Sequence, residues 1–111
     1  MANHGITGSI TLKSGQVYAN ALVRVTGYTM SGTDEIDENR WCVHHNIWRS
    51  EASYDAGEGP AENPGGANTT SATFATYFAK SILDDAGKDP YTASYLFLKN
   101  EVSRYSGFTD V

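Results

Sequence analysis

Apolar and polar residues alternate with a period of two over residues 6–29, which is the pattern of a β-hairpin. The first arm alternates Ile and Leu with Thr and Ser, and Gly15 permits a turn over residues 13–16. Leu22 interrupts the polar face of the second arm, so we expect another element or another subunit to cover it. The apolar face of that arm is predicted to carry Val17, Ala19, Ala21, Val23 and Val25.

The same alternation over residues 40–49 predicts a third strand. Residues 29–39, which precede it, contain a Gly and an acidic run, and we predict a loop there. One face of the third strand is predicted to carry Trp41, Val43, His45 and Ile47. The other face is predicted to carry Cys42, His44, Asn46 and Trp48.

Residues 51–70 are rich in Gly and Pro and follow neither period, so we predict a long irregular loop or insertion. Residues 71–83 fit two patterns, because Phe74 and Phe78 belong both to an alternating run and to a set at helical spacing. The Thr and aromatic content favours a strand. A turn over residues 84–88 then leads into the last element.

Residues 89–105 predict a C-terminal α-helix. Asp89 is a suitable N-cap, and Pro90 follows at the first helical position, where its missing N–H costs nothing. Gly107 is a plausible stop, since glycine readily adopts the left-handed conformation that ends many helices. The apolar stripe of this helix is predicted to contain Tyr91, Tyr95, Leu98 and Val102.

This order of elements predicts a mainly β fold, a small antiparallel β-sheet or sandwich domain with one C-terminal α-helix. A chain of 111 residues is long enough for one modest core, so we predict a single domain over residues 1–111.

Charge and cysteine content narrow the possible partners and compartments. The net charge is −5, from 13 acidic and 8 basic residues, and no basic cluster is available to bind phosphates, which argues against nucleic acid. Cys42 is the single cysteine, so no intrachain disulfide can form, and we expect folding in a reducing cytoplasm. The first residues do not resemble a secretion signal, and no apolar run reaches the ~20 residues of a membrane span.

Candidate catalytic and metal-binding groups are sparse. Cys42, His44 and His45 lie close together, and in a strand Cys42 and His44 point the same way and could reach one zinc ion. A structural zinc site needs four ligands, and nothing at ligand spacing supports a third and a fourth from His4, His45 or a carboxylate. The acidic run of residues 34–38 does not match the spacing of a calcium loop. His44 with an acidic residue of that run is the one pair that an enzyme could use. We therefore predict no catalytic residues, no cofactor and no metal.

Both ends of the chain resemble small virion structural proteins of tailed bacteriophages. The N-terminal resemblance is carried by Ser9-Ile10-Thr11-Leu12, the Ser14-Gly15 turn and Ala19-Asn20-Ala21-Leu22-Val23-Arg24-Val25. The C-terminal resemblance is carried by Ala93-Ser94-Tyr95-Leu96-Phe97-Leu98-Lys99 and by Ser106-Gly107-Phe108-Thr109-Asp110-Val111. These motifs cover about 45 residues and describe packing rather than catalysis, and the region of residues 51–70 departs from the family pattern.

The resemblance implies a non-enzymatic subunit of the tail, neck or fibre-bearing apparatus, with capsid decoration as the alternative. Such a subunit would be made in the host bacterial cytoplasm, act in the virion, and contact other virion proteins and copies of itself in a symmetric oligomer. Apolar residues that could be exposed would mark these contacts. The interface candidates are Leu22, Trp48, Tyr54, Phe108 and Val111. A carbohydrate-binding module, with an aromatic platform of Trp41, Trp48 and Tyr54, is the competing class.

Overall fold

The computed structural model of the protein describes residues 5–31, 40–78 and 89–111. Within these ranges, five antiparallel strands form one sheet in the order β4-β3-β2-β1-β5, which confirms the mainly β fold class with its C-terminal helix. The strands are β1 (Ile6–Thr11), β2 (Val17–Ser31), β3 (Arg40–Trp48), β4 (Glu62–Asn68) and β5 (Thr109–Asp110). The helices of the same ranges are α1 (Glu51–Asp55), α2 (Ser71–Tyr77) and α3 (Pro90–Glu101), with a 3₁₀ turn at Ser103–Tyr105.

The predicted hairpin is confirmed, but a β-bulge changes the faces of its second arm. Gly8 lies opposite Ala21 and Ile10 lies opposite Tyr18, so β2 has one extra residue between these pairs. Because side chains alternate between the two faces, the extra residue moves Tyr18 to the core side. The prediction is therefore wrong at the start of β2, where Val17 is 61% exposed, and correct from Ala21 to Val25.

A second bulge in β2 has the same effect further along the strand. Val25 lies opposite His45, whereas Gly27 lies opposite His44, so Thr26 is the additional residue. Tyr28 therefore shares the core side with Val43, which it faces on β3. The strand continues to Ser31, so the predicted loop is wrong for residues 29–31, and residues 32–39 lie outside the described ranges.

The predicted third strand is confirmed as β3. Its first face, with Trp41, Val43, His45 and Ile47, is buried in the core as expected. This interior strand of the sheet, between β4 and β2, therefore comes from a segment whose alternation is visible in the sequence.

The prediction of an irregular loop over residues 51–70 is wrong. Ser50 caps α1 by accepting a hydrogen bond from the Ser53 backbone N–H at 3.0 Å, and β4 then pairs with β3. The Pro and Gly content of β4 is not typical of a strand, so the sequence did not predict it. An edge strand nevertheless tolerates Pro64 at a bulge and Gly65 at a φ of 83°.

The segment 71–77, predicted as a strand, forms the helix α2. Thr70 and Thr73 make a reciprocal capping box, which satisfies backbone N–H groups at the start of this helix. Phe74 and Phe78, one helical turn apart, then pack against Trp41. The helical spacing of the aromatic residues therefore outweighed the β propensity of this segment. Residues 79–88, which include the predicted turn, lie outside the described ranges.

The helix α3 begins as predicted. Asp89 accepts hydrogen bonds from the backbone N–H groups of Tyr91 and Thr92, each at 2.9 Å. The helix ends at Glu101 rather than at residue 105, and the 3₁₀ turn continues the chain towards Gly107, which has a φ of 84°.

The helices cover both faces of the sheet. One face packs against α2 and α3 in a core that includes Phe74, Phe78 and Leu98. Tyr95 joins this core, whereas Tyr91, predicted for the same stripe, is 45% exposed. On the opposite face, α1 contacts β2 and β3.

Candidate functional site

A row of stacked aromatic rings leads from the core to the protein surface. Phe78 lies parallel to Trp41 with ring centroids 4.7 Å apart, and Trp41 in turn stacks on Tyr28 at 4.6 Å. Tyr91 meets Tyr28 edge to face at 5.5 Å. Tyr28 and Tyr91 are 39% and 45% exposed, and we call them the Tyr28–Tyr91 patch.

Two local features of the sequence position this patch. The second bulge of β2 directs Tyr28 to the same face as Trp41, and the Asp89 cap fixes the first turn of α3, which carries Tyr91. Sequence reasoning placed Tyr91 on the buried stripe and gave Tyr28 no role. Tyr91 lies in the first turn of the helix, one turn before buried Tyr95. Gly27 is the local signal for the bulge beneath Tyr28, since a glycine inside a strand often marks a bulge.

Trp41 contributes a buried donor to this row of rings. Its indole Nε1 is buried and has no hydrogen-bond partner in the described part of the chain. An unsatisfied buried donor costs about 1–3 kcal/mol. The ring contacts with Tyr28 and Phe78 offset part of this cost, so stacking rather than hydrogen bonding holds the indole in place.

The interface candidates Leu22 and Trp48 lie together on the face of the sheet that α1 contacts. They face each other across β2 and β3, and Leu22 is fully buried while Trp48 is 8% exposed. Trp48 donates from Nε1 to the carbonyl of Glu58 at 3.0 Å and meets the half-buried Tyr54 edge to face. Of the two expected covers for Leu22, another element or another subunit, the chain itself already buries this residue, and the expectation that Leu22 and Trp48 are exposed is wrong.

Tyr54 also holds a basic side chain on this face of the sheet. The Arg24 guanidinium lies 4.4 Å from the centre of the Tyr54 ring and donates a hydrogen bond to the Tyr54 hydroxyl. This arrangement fixes α1 against β2, so Tyr54 acts inside the fold with only part of its ring accessible.

The remaining interface candidates lie at the C-terminus. Phe108, 6% exposed, packs over Gly8 of β1, so its predicted exposure is also wrong. Val111 is half-buried, and its backbone N–H donates to the carbonyl of Gly5 at 3.0 Å. The chain end is thus held along the edge of the sheet.

The aromatic platform expected of a carbohydrate-binding module is not assembled. Trp41 lies in the core on one face of the sheet, and Trp48 lies with Tyr54 beneath α1 on the other. Both indoles are buried, so they cannot stack together on a sugar ring.

A polar network, buried at His45 and Tyr105 and partly exposed at Glu62 and Arg104, joins β3, β4 and the 3₁₀ turn. Glu62 and Arg104 form two hydrogen bonds of 2.5 and 2.7 Å, and the Lys13 backbone N–H donates to Glu62 at 2.9 Å. The Arg104 hydrogen bonds lower the pKa of Glu62 from 4.5 to about 2. His45, 4% exposed, places its Nε2 at 2.6 Å from the hydroxyl of Tyr105, and burial lowers its pKa from 6.5.

The metal-ligating residue types are divided between the two faces of the sheet. His45 faces the core, whereas His44 lies on the opposite face, 3.1 Å from the Thr29 hydroxyl, and the Cys42 sulfur fills the space over Gly66. Within the described ranges, no group of three His, Cys, Asp or Glu side chains could hold a metal ion. The acidic run of residues 34–38 lies outside those ranges.

Comparisons with family models, with curated proteins and with solved structures found no match to this chain. Among the described residues, no helix combines the length and the hydrophobicity needed to cross a membrane.

Proposed function

We propose that this chain is a non-enzymatic structural subunit of a tailed-phage virion that acts through protein–protein contacts. The observation that carries the proposal is the Tyr28–Tyr91 patch, a pair of exposed aromatic rings supported from below by Trp41. The resemblance of both chain ends to virion proteins supports a place in the tail, neck or fibre-bearing apparatus, with capsid decoration as the alternative. In this role the chain is made in the host cytoplasm and assembles in many copies.

The patch has the properties of an interface anchor. Tyrosine is enriched in the cores of protein interfaces because it offers a large apolar area and a polar hydroxyl. Tyr28 is held by stacking on Trp41, so little side-chain freedom remains to be lost when a partner binds. Anchors of this kind dominate binding energy when they are buried at the centre of a contact.

Light scattering of the purified protein tests this role. The wild-type chain is expected to exceed the 12.0 kDa of one copy, and the double variant Y28S/Y91S is expected to return to that mass. The matched control is V17S, because Val17 lies at the far end of the same strand and is 61% exposed. Its mass should stay that of the wild type.

Mass spectrometry of purified phage particles tests the place of action. Peptides of this chain should be present in stoichiometric amounts and resist washing. A chain that is monomeric in solution and missing from washed particles would contradict the proposal, as would equal assembly of Y28S/Y91S and wild type.

A further inference from the structure

The last residues of the chain contact the sheet at several separate positions. Phe108 packs over Gly8, and the two residues of β5 pair with Ile6 and Thr7 of β1. The most deeply buried point is Tyr105, which is 1% exposed. We call residues 105–111 the strap.

The hydrogen bond between Tyr105 and His45 is the polar anchor of the strap. Nδ1 of His45 lies 3.3 Å from the carbonyl of Val43, which assigns the imidazole proton to Nδ1 in the neutral ring. Nε2 then accepts from the Tyr105 hydroxyl at 2.6 Å. Burial raises the pKa of Tyr105 to about 12, so this hydroxyl remains a donor throughout the neutral and acidic range.

Protonation of His45 forces this arrangement to change. A proton on Nε2 turns the acceptor into a donor, so the Tyr105 hydroxyl can no longer donate to His45 and must turn to accept instead, and a cation is left in a buried position. The nearby Arg104 adds positive charge, and so does His44 on the same strand when protonated. The carboxylate of Glu62 faces His45 from β4, but both its oxygens are already bound to Arg104.

The other element near His45 offers no compensating charge. Tyr95 of α3 receives a hydrogen bond at its hydroxyl from the backbone N–H of Val25, the β2 partner of His45. Burial raises the pKa of Tyr95, so it stays neutral in acid and cannot neutralise an imidazolium.

We propose that the strap is an acid-released element, freed from the sheet when His45 is protonated. The Arg104–Glu62 pair remains as the fixed point from which the strap opens, because a carboxyl that titrates at a pKa of about 2 keeps its charge in mild acid. Opening separates β5 from β1 and Phe108 from Gly8 while β2, β3 and β4 stay paired.

The size of the effect follows from proton linkage. The folded pKa of His45 lies below 6.5, so the closed strap is fully favoured above this value and loses stability as the pH falls towards the folded pKa. Within that window, the open population rises about tenfold for each unit of pH. Below the folded pKa of His45, this residue is protonated in both the closed and the open state, so the open population no longer rises.

Hydrogen exchange of the full chain between about pH 7.5 and about pH 5.5 tests this mechanism. The amides of Phe108 and Val111, which donate to Tyr105 and Gly5, report on the strap, and amides of β2 and β3 report on the sheet. Protection factors of the two strap amides should fall several-fold, to a limit of about tenfold because only about one unit of this pH range lies below 6.5, while those of the sheet hold. H45Q should remove this pH dependence, and the matched control H44Q should retain it.

The titration of the His45 ring in the wild-type protein, followed by NMR, supplies an independent test should H45Q fail to fold. A His45 pKa below 6.5 that coincides with the loss of strap protection is the expected result. The mechanism is overturned by a pKa at or above this value, by an equal loss of protection in strap and sheet, or by an unchanged pH response in H45Q. None of these outcomes depends on assembly, so they are independent of the proposed function.

Discussion

Phe108 occupies the space directly above Gly8, at a distance that excludes any larger residue there. A Cβ built on Gly8 would lie 2.4 Å from Cδ1 of the Phe108 ring. G8A is therefore expected to destabilise the protein by about 1–3 kcal/mol, because the ring must move or β1 must shift. Urea unfolding measures this free energy.

The control for G8A is G27A. Gly27 also lies in a strand, but in the described part of the chain no atom beyond its immediate chain neighbours lies within 4 Å of a Cβ at this position, so the substitution should be close to neutral. Replacing Phe108 with Leu in the G8A background should restore part of the lost stability. Equal effects of G8A and G27A would show that Phe108 does not determine the cost.

The Glu62–Arg104 pair is expected to make stability depend on acid. The pKa of Glu62 is lowered from 4.5 to about 2, so its contribution is complete above 4.5 and is lost as the pH falls towards 2. Because the Glu62 side chain is 13% exposed, E62Q should cost about 1–3 kcal/mol at neutral pH. Urea unfolding as a function of pH provides the measurement. Between pH 4.5 and 2, the free energy of unfolding should fall less steeply for E62Q than for the wild type.

E58Q is the matched control for E62Q. Glu58 pairs with Arg49 at 3.0 Å, but their side chains are 47% and 56% exposed. Such surface pairs contribute about 0–1 kcal/mol. E58Q should therefore leave the free energy of unfolding, and its decrease at low pH, nearly unchanged. A larger loss in E58Q than in E62Q would contradict this ranking.

Phe78 supports the face of Trp41 that Tyr28 does not cover, and its removal should affect one indole only. F78A is expected to destabilise the protein by about 3–5 kcal/mol, since the 2% exposed ring leaves a cavity. The indole N–H resonance of Trp41 should shift, while that of Trp48 on the other face should not. Y54A should shift the Trp48 signal alone, and a shift of both signals in either variant would contradict the separation of the two faces.

Asp89 should contribute to stability chiefly as a helix cap. D89A removes the acceptor for the N–H groups of Tyr91 and Thr92 and should cost about 1 kcal/mol. The pKa of Asp89 is lowered from 3.8, first by the Thr92 backbone hydrogen bond, so its contribution is complete above 3.8 and declines as the pH falls through its folded value. D89N should keep most of the cap at neutral pH and lack this acid dependence, as judged by thermal unfolding. Equal losses in D89A and D89N would exclude capping as the cause.

The elements that the sequence predicted correctly have signals within a few neighbouring residues. The hairpin turn at Gly15, the alternation of β3 and the Asp89-Pro90 helix start each depend on local backbone preferences. The failures depend at least partly on distant partners. β4 becomes a strand because β3 offers it hydrogen bonds, whereas α2 combines the local capping box at Thr70 with the packing of Phe74 and Phe78 against Trp41.

The contacts of the candidate sites were harder to predict from the sequence than the fold. Leu22 and Trp48 were recognised as apolar residues on a polar face, but α1, whose Tyr54 packs against Trp48, lies in a segment predicted to be irregular. Tyr105 lies 60 residues from His45 in the sequence, and no period links the two. Contacts of this kind follow from the path of the whole chain rather than from any one segment.

The sequence by itself determined that this protein is a mainly β chain with a capped C-terminal helix, because period and capping act over single turns and short strands. Only the tertiary structure decided which side chains reach the surface. The two bulges of β2 reverse the alternation, directing Val17 outward and placing Tyr28 beside Trp41. A bulge forms where pairing with another strand accommodates an extra residue, and that pairing exists only once the sheet has assembled.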